Sequence, residues 1–230
     1  MVMPEDFARR AGLAFRDGSL LRRALTHRSY LNEHTDALED NERLEFLGDA
    51  ALDFLTGAWL YNRFPEIDEG QLTRMRSALV RTEQLAHFAQ EIGLGEVLLL
   101  GRGEEASGGR ERPALLCGAF EALVGAIYLE GGLEAVSAFV EPRLAQAMAV
   151  IFEDESLFDA RSQLQVWAQA EMGLTPRYRT VDSHGPDHAR EFEVEVAVGD
   201  EVRGRGVGKS KQDAAQQAAA DALARIGSRA

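Results

Sequence analysis

Apolar residues recur at spacings of three and four from Glu5 to about Ile151, which is the period of helices with one buried face. The pattern is interrupted at five places: near Gly18, near Pro65, between Gly93 and Gly95, from Gly101 to Pro113, and at Gly131 and Gly132. Glycine and proline at such positions are typical of helix ends and loops. The pattern therefore predicts an all-α N-terminal domain over residues 1–153.

Beyond residue 158 the period changes to the alternation of half-buried strands. The predicted elements are a helix from Ser162 to Met172 and strands at Arg177–Val181, Phe192–Val198 and about Val202–Val207. Ser210 and Asp213 have the spacing of a reciprocal helix cap, and the alanine-rich helix after them ends at Gly227. The order α-β-β-β-α predicts a small α+β domain over residues 159–228, after an acidic linker at 154–158.

The formal net charge of −13 argues against nucleic-acid binding by the chain as a whole. The charge is unevenly distributed, because residues 1–156 carry 15 basic and 27 acidic side chains, whereas residues 157–230 carry 10 and 11. The only lysines in the chain, Lys209 and Lys211, lie two residues apart before the last helix. Two ammonium groups at a helix N-terminus favour phosphate binding, so the second domain is the candidate nucleic-acid-binding unit.

The segment Asn41–Ala50 places three carboxylates on one side of a predicted helix. At about 100° per residue, Glu42, Glu45 and Asp49 fall within roughly 60° of one another. The opposite side is apolar and is expected to dock, with Leu44, Leu47, Ala51, Phe54 and Leu55. Clustered like charges destabilise a helix unless they are neutralised, and a hard cation such as Mg²⁺ would neutralise them. The alternative is a solvated acidic face, although Phe46 beside the carboxylates favours a face that meets another surface.

A second candidate carboxylate is Glu121, which interrupts a stretch from Leu116 to Leu129 that is apolar on nearly every side. An uncompensated ion there would cost several kcal/mol or keep its proton, so either an arginine or a metal ion is expected beside it. Cys117, the single cysteine, cannot form an internal disulfide and is expected to be a buried small hydrophobe.

Several function classes are not expected from the sequence. No apolar run approaches membrane-spanning length, and the N-terminus lacks the profile of a signal peptide, so we expect a cytoplasmic protein. The segment Gly204–Ser210 resembles a nucleotide-binding phosphate loop, but Arg203 stands where that motif requires glycine, and no parallel β-α-β pattern surrounds it. No nucleotide cofactor is therefore expected.

The segment Asn41–Ala50 resembles the signature of the ribonuclease III family, the endonucleases that cut double-stranded RNA. Three further blocks are similar to family motifs in the same order: Ala24–Tyr30, Glu69–Thr73 and Ala119–Leu123. The resemblance implies a homodimer in which each subunit cuts one strand of ribosomal RNA precursors and structured transcripts. The implied products carry 5′-phosphate and 3′-hydroxyl ends.

The same resemblance implies roles for individual residues. Glu45, Asp49 and Glu121 would bind Mg²⁺, with Mn²⁺ as a substitute, and Asp49 and Glu121 would support hydrolysis. Glu42 and Glu69 match acidic residues of the RNA-cutting cleft and would position the substrate. His27 belongs to a family block, but a buried structural histidine is the expected role.

The chain departs from the family at Gly118, where the family usually has another metal-site aspartate. Three consequences are open: water fills the coordination position, Glu104 or Glu105 reaches in from the neighbouring loop, or the site is weakened. A weakened site leaves an alternative function, a double-stranded-RNA-binding protein with reduced or lost cleavage. A third class is an unrelated phosphohydrolase with a carboxylate cluster and an RNA-binding module.

The second domain resembles the double-stranded-RNA-binding domain in three segments: Ser162–Gln165, Gly185–His188 and Gly208–Lys211. Gln165 and Gln169 lie one helical turn apart and are predicted to reach the shallow RNA minor groove, while His188 would reach the neighbouring one. Lys209, Ser210 and Lys211 are predicted to bind phosphates. Without the resemblance, the glutamines and the histidine would be ordinary surface residues.

Overall fold

The computed structural model of the chain describes residues 3–34, 39–65, 67–152, 159–186 and 190–227. The chain divides into two compact units. The first contains Met1–Arg63 and Leu72–Met148, and the second contains Phe64–Gln71 and Ala149–Ala230. The predicted acidic linker at 154–158 lies outside the described residues.

Helices account for the regular structure of the described residues up to 152, which confirms the predicted all-α class. Their bounds are α1 Pro4–Arg10, α2 Gly18–Ala24, α3 Arg28–Leu31, α4 Glu42–Arg63, α5 Glu69–Leu79, α6 Thr82–Glu91, α7 Arg102–Ala106 and α8 Pro113–Phe152. Of two short 3₁₀ turns, Gly109–Glu111 falls within a predicted break and Leu94–Val97 begins in one and extends two residues beyond it.

The start of α4 is anchored by backbone and side-chain hydrogen bonds. The Asp40 carboxylate accepts from the Glu42 N–H at 3.2 Å, as a helix cap does. Asn41 is buried; its backbone N–H donates to the Thr26 carbonyl at 2.9 Å and its side-chain amide donates to the Ala24 carbonyl at 3.3 Å. The sequence motif therefore begins α4 at a fixed place against the end of α2.

The buried face of α4 differs from the predicted apolar face. The buried positions are Leu44, Gly48, Ala51, Leu52, Thr56 and Leu60. Phe54, which was expected to dock, is 61% exposed. The prediction was wrong at this residue because hydrophobicity alone sets the expected face, whereas the small residues Gly48 and Thr56 allow the helix to pack closely on the side that carries them.

The central element of the first unit is α8, which begins with a proline and is kinked at Gly132 (φ 72°, ψ −168°). Phe120, Leu123 and Val124 are fully buried, so this helix lies in the core. By length and hydropathy alone, Pro113–Ile151 is long and apolar enough to cross a membrane, which corrects the expectation that no such run exists. Most of its hydrophobic window is buried inside the protein, as in the core helix of a globular domain.

The second unit has the predicted order α9 Ala160–Met172, β1 Arg177–His184, β2 Glu191–Val198, β3 Glu201–Gly208 and α10 Lys211–Gly227. The three strands form an antiparallel sheet in the order β1-β2-β3. The core between the sheet and the two helices contains Leu164, Val194, Val196, Ala214, Ala218 and Ala222. The alternating valines of β2 therefore face the helices, as their period of two predicts.

Glycines of β3 allow α10 to approach the sheet closely. A Cβ atom at Gly204 or Gly206 would lie 2.2 Å from backbone atoms of Ala218. Helix α10 is capped as predicted, because the Ser210 hydroxyl accepts from the Asp213 N–H at 3.0 Å and donates to its carboxylate at 2.8 Å. The glycine-rich segment thus serves helix–sheet packing and fixes the start of α10.

Candidate functional site

The crossing of α4 and α8 brings the two acidic motifs together. A Cβ atom at Gly48 would lie 1.8 Å from the Glu121 carbonyl oxygen, and one at Gly125 would lie 2.2 Å from the Leu44 carbonyl oxygen. The two backbones therefore touch without side chains between them. Glu45 and Asp49 flank Gly48 in the sequence, so this crossing presents them toward Glu121.

Two of the three carboxylates, Glu45 and Glu121, have a raised pKa, in part because of neighbouring negative charges. Burial, followed by the charges of Asp49 and Glu45, raises the pKa of Glu121 to about 7. Burial, followed by the charges of Glu42, Asp49 and Asp40, also raises the pKa of Glu45. Within the described ranges no lysine or arginine forms an ion pair with Glu45, Asp49 or Glu121. The arginine partner that the sequence left open for Glu121 is therefore not found there.

Gly118 faces the carboxylate of Glu45. A Cβ atom at this position would lie 2.8 Å from Glu45 Oε2 and 3.0 Å from Glu45 Cδ. The Glu45 carboxylate therefore lies against the position from which a side chain at residue 118 would project. The structure thus places the residue that departs from the family pattern at the carboxylate cluster itself.

Neither glutamate of the neighbouring loop reaches the cluster. Glu104 pairs with Arg112, and Glu105 pairs with Arg110 at 2.8 Å. Arg110 also donates to the carbonyl oxygens of Gly95 and Leu98, which ties this loop to the body of the unit. The hypothesis that Glu104 or Glu105 replaces the missing carboxylate is therefore not supported by the structure.

Cys117 is buried, as predicted, and its thiol lies beside Glu121, with 3.6 Å between Sγ and Oε1. Burial, followed by the negative charge of Glu121, raises the pKa of the thiol to about 12. A thiol with so high a pKa is a poor nucleophile, because the thiolate is the reactive form. Cys117 acts here as a hydrogen-bond donor to Glu121.

The donor set suits a hard divalent cation, since it consists of carboxylate oxygens that lack cationic partners in the described part of the chain. As the side chains are placed in this structure, however, no group of three or more acidic, cysteine or histidine residues in the described ranges could hold a metal ion. Glu45 and Glu121 are half-buried and Asp49 is exposed, so the cluster opens to solvent on the side of Asp49. A cation would bind there with part of its coordination sphere open to water.

The other predicted residues of the acidic face lie around this cluster or at the start of the next helix. Glu42 is exposed and pairs with Arg28 at 3.2 Å. Glu69 is exposed at the first residue of α5. His27 is half-buried, and its Nδ1 accepts from the Ser29 N–H at 3.3 Å, which caps α3. The structural role expected for His27 is found, with less burial than expected.

The predicted RNA-binding residues differ in how far their side chains are exposed to solvent. Lys209 and Lys211 are exposed at the start of α10, on either side of the capping residue Ser210. Gln169 is partly exposed and donates to the Thr175 hydroxyl at 3.2 Å. Gln165 is only 1% exposed, so this structure does not present its side chain to a ligand. His188 lies outside the described residues.

Sequence reasoning missed Gly48 and Gly125, which set the distance between the two acidic motifs. A signal for both was present, because glycine inside a helix costs about 1 kcal/mol relative to alanine. A glycine retained there indicates that something approaches the helix backbone closely. Gly118 differs from both, because the three atoms nearest to a Cβ there belong to the flexible end of the Glu45 side chain and not to a backbone.

We predict that Glu121→Gln raises the thermal midpoint of the metal-free protein more at pH 8 than at pH 5. Because the pKa of Glu121 is raised to about 7 in the folded state, the folded protein loses stability as the pH rises from the ordinary glutamate value to about 7. Glutamine does not ionise and escapes this loss. Thermal unfolding in EDTA measures the difference, with Glu134→Gln on the exposed surface of α8 as the control. An equal effect of Glu121→Gln at both pH values would contradict the prediction.

Comparison with known families matches both units. Residues 17–148 match the family described as Ribonuclease-III-like, and residues 160–226 match the double-stranded RNA binding motif. The second match agrees with the α-β-β-β-α order of α9 to α10.

Two bacterial proteins illustrate the similarity over nearly the whole chain. Ribonuclease 3 of Roseiflexus sp. (strain RS-1) is 48% identical over 222 residues, which cover 95% of this chain and 94% of that protein. Ribonuclease 3 of Geobacillus kaustophilus (strain HTA426) is 44% identical over 224 residues, with 95% and 89% coverage.

A solved structure of the nuclease domain of ribonuclease III from Campylobacter jejuni superposes with a TM-score of 0.58 at 37% identity. It covers 63% of this chain and 98% of the solved chain, and its description refers to a region involved in dimer formation. The helical unit of this chain therefore has the fold of that nuclease domain.

Proposed function

This chain belongs to the ribonuclease III family and is a double-strand-specific endoribonuclease. We propose that Glu45, Asp49 and Glu121 hold a divalent cation, Mg²⁺ or Mn²⁺, at its cleavage site. The observation that carries the proposal is the close backbone contact of α4 and α8 at Gly48 and Gly125, which supports a shared site because Glu45 and Asp49 lie near this contact on α4 and Glu121 lies at it on α8. The raised pKa values of Glu45 and Glu121 support it, because they result from burial and mutual repulsion that a cation would relieve.

The chemistry supplied by the bound cation is Lewis acidity, which polarises a phosphoryl oxygen and makes a water molecule more acidic. Asp49 on α4 and Glu121 on α8 would hold the cation with carboxylates from two helices, which would fix its position for the reacting phosphate. Glu45 adds a third carboxylate beside Gly118. We propose that water takes the remaining coordination positions, since Mg²⁺ usually keeps several waters.

Substrate positioning is assigned to Glu42 and Glu69, which are both exposed and acidic. The proposed products are a 5′-phosphate and a 3′-hydroxyl end, and the proposed substrates are ribosomal RNA precursors and structured transcripts. The binding-only alternative is disfavoured because the relatives that match nearly the full chain are named ribonucleases.

We propose that the protein acts as a homodimer. Three aromatic residues lie on the same side of α4 and are largely exposed: Phe46 (79%), Phe54 (61%) and Tyr61 (72%). Together they form an apolar stripe that faces water in the single chain. A two-fold contact through α4 would bury this stripe in both subunits. Sedimentation equilibrium tests the proposal, and a mass near 25.2 kDa at every protein concentration would contradict it.

We assign the binding of duplex RNA to the second unit, in which Lys209, Ser210 and Lys211 at the N-terminus of α10 bind phosphates. We predict that changing both lysines to alanine lowers the slope of log K against log salt by about 1 to 2, because each lysine releases about one counterion. Filter binding of a duplex RNA over a salt series measures the slope. The Lys209→Arg, Lys211→Arg double variant keeps both charges and should keep the slope. If the alanine variant also keeps it, the phosphate contacts lie elsewhere.

The proposed function is tested by incubating the purified chain with a duplex RNA and with its single strands. We predict cleavage of the duplex in millimolar Mg²⁺, no cleavage in EDTA, and recovery when Mg²⁺ is added in excess. End labelling then identifies the 5′-phosphate on the products. Persistent duplex cleavage in EDTA would contradict the cation-dependent site, and failure to cut duplex RNA at any Mg²⁺ concentration would favour the binding-only alternative.

A further inference from the structure

The first unit contains a cavity of about 570 Å³ between the segment that joins α1 to α2 and the two halves of α8. One wall is formed by residues 11–16, and the other includes Ile127, Phe139 and Arg143. Its lining includes none of the residues assigned above to cleavage or RNA binding. The volume lies in the range of 300–1,000 Å³ that is typical of sites for small organic ligands.

The cavity exists because α8 changes direction at Gly132, whose positive φ favours glycine. Residues on both sides of this kink, such as Ile127 before it and Phe139 after it, therefore face the same space. Small side chains on the second half of the helix, Ala135 and Ala138, leave that space unfilled.

Arg143 supplies the polar group of the wall. Its guanidinium lies over the ring of Phe139, 4.2 Å from the centroid, and donates to the Phe139 carbonyl. Burial lowers the pKa of Arg143, and the charge of Glu91 acts in the opposite direction. In the described ranges no carboxylate lies within ion-pairing distance of this guanidinium, although Glu91 is near enough for its charge to act on it. A half-buried cation without a direct ion pair is a favourable anchor for an anionic ligand.

The second arginine of the lining is already neutralised. Arg16 Nε donates to Glu130 Oε1 at 2.8 Å, and the Arg16 backbone N–H donates to the same oxygen at 3.2 Å. The Arg16 side chain is largely exposed, whereas that of Glu130 is only 15% exposed. The cavity therefore offers one positive charge without a direct ion-pair partner, next to apolar surface.

We propose that this cavity binds a small organic anion with an apolar body and a single carboxylate, which pairs with Arg143 while the alkyl or aromatic portion contacts Phe139 and Ile127. One unpaired guanidinium matches one negative charge, so a monocarboxylate is favoured over a dicarboxylate. A bidentate contact is available, because the planar guanidinium matches the geometry of a carboxylate.

Octanoate is the probe that tests the proposal, with octan-1-ol and octylammonium as ligands of the same chain length. Isothermal titration of the full-length protein is expected to show octanoate binding, weaker binding of the alcohol and none of the cation. Arg143→Met is expected to weaken octanoate binding by about tenfold or more, and Arg143→Lys is expected to weaken it less, because lysine keeps the charge but loses the bidentate contact. Arg74→Met, on the exposed surface of α5, is the matched control and should not change the affinity.

A second variant keeps the test informative if Arg143→Met does not fold. Ala135→Leu retains the arginine but fills the cavity, and it is expected to abolish octanoate binding without changing duplex cleavage. The proposal is overturned if the unmodified protein does not bind millimolar octanoate, or if Ala135→Leu binds it as well as the unmodified protein does. It is also overturned if octanoate affinity falls as the protein concentration rises, because a second copy of the chain would then fill the cavity.

Discussion

Glu121→Gln is expected to lower the rate of duplex cleavage by roughly 1,000-fold, the upper range for removing one charge-stabilising group from an active site. Glutamine keeps the size of the side chain beside Cys117 but removes the negative charge. The remaining carboxylates, Glu45 and Asp49, both come from α4, so the cation would lose its ligand from α8. Single-turnover cleavage of a labelled duplex in Mg²⁺ measures the effect.

Duplex RNA binding separates this loss from misfolding. The Glu121→Gln variant is expected to bind duplex RNA with unchanged affinity, because RNA binding is assigned to the second unit. Glu134→Gln changes an exposed glutamate of the same helix and should leave both cleavage and binding unchanged. Cleavage by Glu121→Gln within about threefold of the unmodified rate would remove Glu121 from the site, because loss of an essential group costs at least about 100-fold.

Gly48→Ala is expected to destabilise the protein by about 3 kcal/mol, the upper part of the range for overpacking a core. The new Cβ would lie 1.8 Å from the Glu121 carbonyl oxygen, and a backbone atom cannot move aside as a side-chain end can. The helices would have to separate, so cleavage should also fall by about 100-fold, even at temperatures where the variant is folded. Thermal unfolding and cleavage at low temperature measure the two effects.

Gly57→Ala is the matched control, because Gly57 lies in the same helix and a Cβ atom there would meet nothing within 4 Å. Replacing a helical glycine with alanine at such a position should stabilise the protein by about 0.5–1 kcal/mol. Equal stability changes for Gly48→Ala and Gly57→Ala would mean that α4 and α8 are not in the backbone contact on which the proposed site depends.

The sequence predicted the classes of both units because their hydrophobic periods are different and regular. The valines of β2 alternate over a full strand, and Ser210 and Asp213 are only three residues apart. Both features could therefore be predicted from neighbouring residues alone. The buried face of α4 could not be predicted in this way, because Phe54 was assigned to the core by its hydrophobicity. Which side docks is decided by the partner helix, and that information lies about 70 residues away at Glu121 and Gly125.

The residues proposed for the site could be named from the sequence, whereas their surroundings could not. Glu45, Asp49 and Glu121 stood out as carboxylates in apolar or crowded surroundings. The ion pairs of Glu104 and Glu105 were not predictable, because their partners, Arg112 and Arg110, come close to them only through the fold of a loop. The burial of Gln165 was also missed, since helical spacing alone does not show which side of an isolated helix is covered.

Anomalous diffraction from crystals of the protein grown with Mn²⁺ would locate a cation bound by both helices. We expect a peak in each subunit at about 2.1 Å from carboxylate oxygens of Glu45, Asp49 and Glu121, in the range for hard divalent cations. Peaks bound by α4 alone or by α8 alone, with the other helix contributing no ligand, would contradict this expectation.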